Sequence, residues 1–363
     1  MRPYRNFFYI KSFTPACVGA LLSLCLFAGI VQVTDTNDYR LLHIDPISRL
    51  PVYTKNSSFF TVGGCYENTV VINTIGFHGL DVPPQKGDDV FRIVIIGSSY
   101  VEARQVSVED MYSTLLQEAL NTNPHRTHTY EVIPLGVNAN SPFLNALYYV
   151  WYGSRLQPDL VINFETQYEL SQDYAMPDID AQGNAVLLVP PALDNHNKTG
   201  FRDELRRFKV LVNLYNRYTI VRGEVGTFLA HPFFFSREGV AVSNTTEQPQ
   251  QYAARWHTEA AVLGALAARV HSDEAQVMFA SWYAPGKWAI TAEELSNHFQ
   301  DIALRNNAAY VDLSPGIAAE ESAAGDPATW YPCDGHWTPA GNHYVASALY
   351  QYLIVHPSLL SRP

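Results

Sequence analysis

The 363-residue sequence predicts a three-layer, doubly wound α/β domain with a mostly parallel five-stranded sheet, preceded by one transmembrane helix. Three observations carry that expectation. Five short, continuous apolar runs alternate with helical patterns, as strands of a parallel sheet covered on both faces do. Apolar residues make up 47% of the chain and aromatics 13%, enough for a large buried core. One charge-free stretch stands apart near the N-terminus.

That stretch comes first in the chain. Arg2, Arg5 and Lys11 precede a charge-free run over 12–34, and about 20 apolar residues suffice to cross a bilayer core. Basic residues before the run and Asp35 and Asp38 after it orient residues 1–11 to the cytoplasm and the remainder outward, as a periplasmic or extracellular domain. The membrane, and other membrane proteins within it, are the expected partners. A cleaved signal peptide is the rival reading, but no small-x-small site follows the run, which favours an uncleaved signal anchor. The 24 basic and 35 acidic residues leave a net charge of −11 with no basic block, which argues against a nucleic-acid partner.

Residues 35–90 hold turn residues, short apolar pieces and Pro83-Pro84, and read as an extended lead-in. The domain proper is expected over 91–355. FRIVIIG (91–97) is a strand ending at Gly, followed by helical spacing in MYSTLLQEALN (111–121). YEVIPLG (130–136) repeats the strand, FLNALYYVWYG the helix, and PDLVINF (158–164) is the third strand. An excursion over about 175–250 interrupts the alternation; a gap this long marks a cap, a lid or a substrate-shaping insertion. The pattern then resumes with QVMFASW (276–282), AEELSNHFQDIALRN (292–306), AYVDLS (309–314) and the final helix HYVASALYQYL.

The first strand runs into Gly97-Ser98-Ser99-Tyr100, at the carboxyl end where open α/β sheets bind ligands. Alone, Gly-Ser-Ser is an ordinary turn or helix cap. At the far end of the chain, Tyr331-Pro332-Cys333-Asp334-Gly335-His336-Trp337 precedes the last helix. A serine hydroxyl needs a histidine to take its proton, and the histidine needs a carboxylate to fix its tautomer and orientation. Asp334 and His336 on one short loop can supply both to Ser99. Cys65 and Cys333, the two cysteines outside the apolar run, are a disulfide candidate in an oxidising compartment, with two unpaired buried thiols the equal alternative. No spacing of Cys, His or Asp suits a metal and no Gly-rich loop suits a phosphate, so no metal or cofactor is expected.

Taken jointly, the blocks FRIVIIGSSYVEARQVSVEDMYSTLLQEALN, LGVNANS and DGHWTPAGN resemble the SGNH (GDSL-like) hydrolase superfamily over about 72–174 and 252–354. Glu102 and Val106 resemble positions of its membrane-linked, polysaccharide-modifying branches. The resemblance implies Ser99 as nucleophile, Asp334 and His336 as its partners, and oxyanion donors after the second and third strands. Gly136 matches the first glycine of the second block; Ala139 stands at the second, from which it would offer its N–H. In the third block the family's Gly-Asn-Asp falls on Gln167-Tyr168-Glu169, so the amide of Gln167, or of Asn138 or Asn140, would have to replace the missing asparagine. The function that the resemblance implies is that of an extracytoplasmic serine ester hydrolase or O-acyltransferase acting on an acylated glycan or small ester, O-acetyl groups of cell-surface glycans above all. The alternative is a catalytically inactive binding or assembly module of a membrane complex. Ser98 stands in place of the block's usual Asp, a position that is generally not the triad carboxylate; the altered third block is the departure that keeps that alternative open.

Overall fold

The computed structural model describes residues 18–19, 22–30, 42–63, 65–138, 140–168, 186–187, 249–284, 290–317, 329–331 and 333–362. Before the main sheet the chain forms two small antiparallel ladders. β1 (His43–Ile44) pairs with β2 (Pro51–Val52), and β3 (Ser57–Val62) pairs with β4 (Glu67–Ile72). The lead-in is therefore more regular than its sequence suggests. It is also buried in the domain: Leu50, Val52, Phe77 and Val82 join the main core, while Tyr53, Phe59, Val70 and Ile72 form a satellite cluster.

The main sheet consists of β5 (Val90–Gly97), β6 (Thr129–Gly136), β7 (Leu160–Thr166), β8 (Gln276–Trp282) and β9 (Ala309–Asp312). All its pairings are parallel and its order is β6-β5-β7-β8-β9. Side chains alternate between two cores. Phe91, Ile93 and Ile95 of β5 face one, Val94 and Ile96 the other. Pro134 lacks an N–H and sits in β6, an edge strand, where a missing donor is tolerated.

A short helix α1 (Ser99–Glu102) follows β5 directly, and α2 (Tyr112–Thr122) covers the first core through Tyr112, Leu116 and Leu120. On the opposite face lie α3 (Pro142–Tyr148), α4 (Pro249–Ser272) and α5 (Ala292–Arg305), joined to the core by Phe143, Leu263 and Phe299 among others. The last helix, α6 (Pro339–Val355), returns to the face of α2 through Val345, Leu349 and Leu353. Caps set where the later helices begin. Thr291 and Glu294 form a reciprocal capping box on α5, and Thr338 accepts from the Gly341 N–H at 3.2 Å at the start of α6, with Pro339 opening the helix.

Residues 22–30 are helical, with Leu22, Leu24, Leu26, Phe27 and Ile30 exposed. Among the described residues no helix is long and apolar enough to cross a membrane, so the expected transmembrane helix over 12–34 has no support in the structure; the rest of that segment lies outside the described residues. The excursion over about 175–250 also lies outside them, apart from 186–187 and the first residues of α4.

Candidate active site

In a sheet of this order, the chain leaves β5 toward β6 on one side and returns to β7 on the other, opening a crevice at the carboxyl ends of these strands. Ser99 lies there. It opens α1 directly after β5, with Ser98 as the helix N-cap, and is 8% exposed. Close packing of β6 under the helix depends on Gly136, where an added Cβ would run into the backbone of α1 at Val101 and Glu102.

Asp334 and His336 come from a tight loop in front of α6. The loop is pinched at its base by a bridge between Trp330 and Trp337, and Thr338 N–H donates to the Thr329 carbonyl at 3.0 Å. Within it the Tyr331 carbonyl accepts from the N–H groups of Asp334 (3.1 Å) and Gly335 (2.7 Å), and Tyr331 N–H donates to the His336 carbonyl at 2.7 Å. Gly335 takes φ +78°, a left-handed conformation that glycine adopts without strain, and this aims its two neighbours the same way.

The loop brings the three residues into one chain of hydrogen bonds. His336 Nδ1 lies 2.8 Å from Asp334 Oδ2, and His336 Nε2 lies 2.7 Å from Ser99 Oγ. A carboxylate only accepts, so Nδ1 carries the proton and Nε2 is left to accept from the serine hydroxyl. Burial alone would raise the Asp334 pKa, but hydrogen bonds from His336 and Gln105, with the charges of His336 and Arg104, bring it below the usual carboxylate value. Asp334 therefore stays anionic at neutral pH.

Tyr100, next to the serine, locks the arrangement. Its hydroxyl donates to the Gly335 carbonyl at 2.9 Å, and its ring stands 4.8 Å from the His336 ring and 4.8 Å from Trp282, with Trp337 at 5.0 Å. The disulfide Cys65–Cys333, with Cα atoms 6.0 Å apart, ties the β3–β4 turn to the same loop, and Tyr66 packs on Tyr331 beside it. Behind the serine, Glu102 is buried, accepts from the Tyr53 hydroxyl and offers its carbonyl to His78 Nδ1 at 2.9 Å. Burial, then the Glu102 charge, holds the Tyr53 pKa well above its usual value, so Tyr53 remains a donor.

The oxyanion expectation for Gln167 does not hold. Its Nε2 donates to the Ala284 carbonyl at 2.6 Å and its Oε1 accepts from the Ala284 N–H at 2.9 Å, so both ends of the fully buried amide are committed to the loop after β8. Ala284 offers the amide a carbonyl acceptor and an N–H donor together, and buried polar side chains pair in this way. Asn138 is exposed and Asn140 is buried, whereas Ala139 and Glu169 lie outside the described residues. Sequence reasoning passed over Gln105, whose Nε2 donates to Asp334 Oδ2 at 2.8 Å. Among the described residues no group of three His, Cys, Asp or Glu comes together as metal ligands.

No family model and no curated protein matches the chain. Solved structures similar to it include the acetyl xylan esterase AlAXEase, at 16% identity and a TM-score of 0.42, covering 72% of this chain and 100% of that one. A lipase/acylhydrolase from Enterococcus faecalis is similar at 11% identity and a TM-score of 0.43, covering 73% and 96%. The acetylxylan esterase Axe2 from Geobacillus stearothermophilus is similar at 12% identity and 0.41, covering 72% and 93%.

Proposed function

We propose that the protein is a serine ester hydrolase or O-acyltransferase, with Ser99 as nucleophile, His336 as general base and acid, and Asp334 as the carboxylate that orients it. One observation carries the reading: the unbroken relay Ser99–His336–Asp334 at 2.7 and 2.8 Å, seated at the carboxyl edge of the sheet. As Ser99 Oγ attacks an ester carbonyl carbon, His336 Nε2 takes its proton, and Asp334 stabilises the imidazolium. Collapse of the tetrahedral intermediate breaks the ester C–O bond, and Nε2–H protonates the departing alkoxide. Water or an acceptor hydroxyl then attacks the acyl-serine, giving its proton to Nε2; the second tetrahedral intermediate breaks its C–Oγ bond, and Nε2–H returns the proton to Ser99 Oγ. Backbone N–H groups near Ser99 and at Ala139 would hold the oxyanion, with no contribution from Gln167.

Resemblance to membrane-linked, polysaccharide-modifying hydrolases, with the apolar run over 12–34 and its flanking charges, favours an extracytoplasmic site and O-acetyl groups of surface glycans as substrate. The commitment of Gln167 to Ala284 favours a second reading, a non-catalytic module, because an oxyanion donor is worth roughly 100- to 1000-fold in rate.

Two measurements separate the readings. The full chain is expected to hydrolyse 4-nitrophenyl acetate, and a membrane-impermeant fluorophosphonate is expected to label Ser99 from outside intact cells or spheroplasts. Ser99→Ala abolishes both signals, and His336→Ala lowers turnover by about 10⁴-fold or more in a folded protein. Absence of turnover and labelling in the wild type establishes the module reading instead; labelling only after lysis reverses the orientation.

A further inference from the structure

We infer that Gln105 is a positioning residue of this site, whose side-chain amide holds the Asp334 carboxylate aimed at His336. The inference rests on the catalytic reading above and starts from where Gln105 sits. Ala103, at φ 49°, ends α1 with a left-handed turn, and the chain doubles back beside the Asp334 loop. Asn68 of β4 donates through Nδ2 to the carbonyls of both Arg104 and Val106, so the backbone is pinned on either side of Gln105. The side chain is only 3% exposed. Its amide nitrogen lies 2.8 Å from Asp334 Oδ2, the same oxygen that receives His336 Nδ1. An ionised carboxylate has no proton to give, so the NH₂ end must face it; Gln105 Oε1 is buried with no hydrogen-bond partner among the described residues, and the amide's hydrogen bond there is to Asp334.

The segment beginning at Ser99 thus holds the opposite loop at three points. Ser99 meets His336, the Tyr100 hydroxyl meets the Gly335 carbonyl, and Gln105 meets Asp334. Without the third contact the carboxylate can rotate away from Nδ1, and the imidazole loses the constraint that selects its tautomer. The charged and titratable groups facing Asp334 come from three elements: His336 and Tyr331 on its own loop, Arg104 beside Gln105, and Tyr66 on the β3–β4 turn. Of these, His336 and Arg104 favour the carboxylate by charge, as the Gln105 hydrogen bond does by donation.

The test uses the full chain with Gln105→Ala and Gln105→Met, the second keeping most of the volume while removing the donor. Kinetics on 4-nitrophenyl acetate are measured together with the titration of the Asp334 carboxyl carbon by NMR, its resonance assigned with Asp334→Asn. Both variants are expected to lower kcat by about tenfold at unchanged KM, the scale of one hydrogen bond to a charged group, and to raise the Asp334 midpoint. A residue that merely filled space would leave the midpoint of Gln105→Met where it is in the wild type. An active wild type with midpoint and kcat unmoved in folded Gln105→Met overturns the role of Gln105 alone. A wild type inert toward ester and probe overturns the proposed function, and with it any catalytic purpose for Gln105.

Discussion

Gln167 and Gln105 are both amides beside the same crevice, yet they do different work because of what each finds within reach. Gln167 meets the N–H and carbonyl of Ala284 and closes a two-bond clasp, which makes it a strut for the loop after β8. Gln167→Ala removes both bonds, at about 1 kcal/mol each. The expected result is a lower Tm by calorimetry, with fluorophosphonate labelling of the folded fraction retained. A large loss of labelling at unchanged Tm would return Gln167 to the oxyanion site. Asp334 behaves differently again. With its pKa below 3.8, the relay keeps its charge through the neutral range, and whatever stability that charge contributes is present above 3.8 and lost only as pH falls through the folded value.

Among the elements, the β3–β4 hairpin is the unexpected participant. It reaches the Asp334 loop through Cys65–Cys333 and through Tyr66 on Tyr331, across a sequence separation of 268 residues. Closing so long a loop restricts the unfolded chain and contributes a few kcal/mol in the chain-entropy model. In the folded state the same bond anchors the residue next to Asp334. Reduction, or Cys65→Ser, is therefore expected to lower both Tm and kcat, with the loss of the linked peptide verified by non-reducing mass spectrometry. If kcat is unchanged while Tm falls, the bonds from Tyr100 and Gln105 hold the loop by themselves.

At the scale of the whole molecule, the lead-in is part of the platform on which Ser99 stands. Tyr53 and His78, both buried, bond to the side chain and the backbone carbonyl of Glu102, one turn of helix beyond Ser99. Burial lowers the His78 pKa from 6.5 to about 4. The unfolded chain therefore takes up a proton on this ring at a pH where the folded one does not, so stability is complete above 6.5 and declines as pH falls from 6.5 toward about 4. His78→Asn keeps a donor near the Glu102 carbonyl and removes the titration. Its Tm is expected to fall less steeply across that window than that of the wild type, as measured by calorimetry at a series of pH values. Equal slopes would assign the acid sensitivity to other groups.

The strands were legible because a strand buried on both faces must be apolar throughout, and FRIVIIG, YEVIPLG and QVMFASW have no polar face to confuse the reading. That Ser99, Asp334 and His336 would meet was legible because a hydroxyl at a strand end and an Asp-x-His before the last helix are the residue types and places that such a hydrogen-bonded chain requires. The sequence left open whether Cys65 and Cys333 are paired, and the structure joins them. It misjudged Gln167 and passed over Gln105 and the ladders of the lead-in. These belong to tertiary structure for one reason. A hydrogen bond depends on distance and angle to within a fraction of an ångström, and partners separated by 117 or 229 positions acquire that geometry only when the sheet has brought their loops together. Composition and periodicity determine which face of an element is buried; which of two nearby amides reaches Asp334 and which reaches Ala284 is decided by the path of the backbone between them.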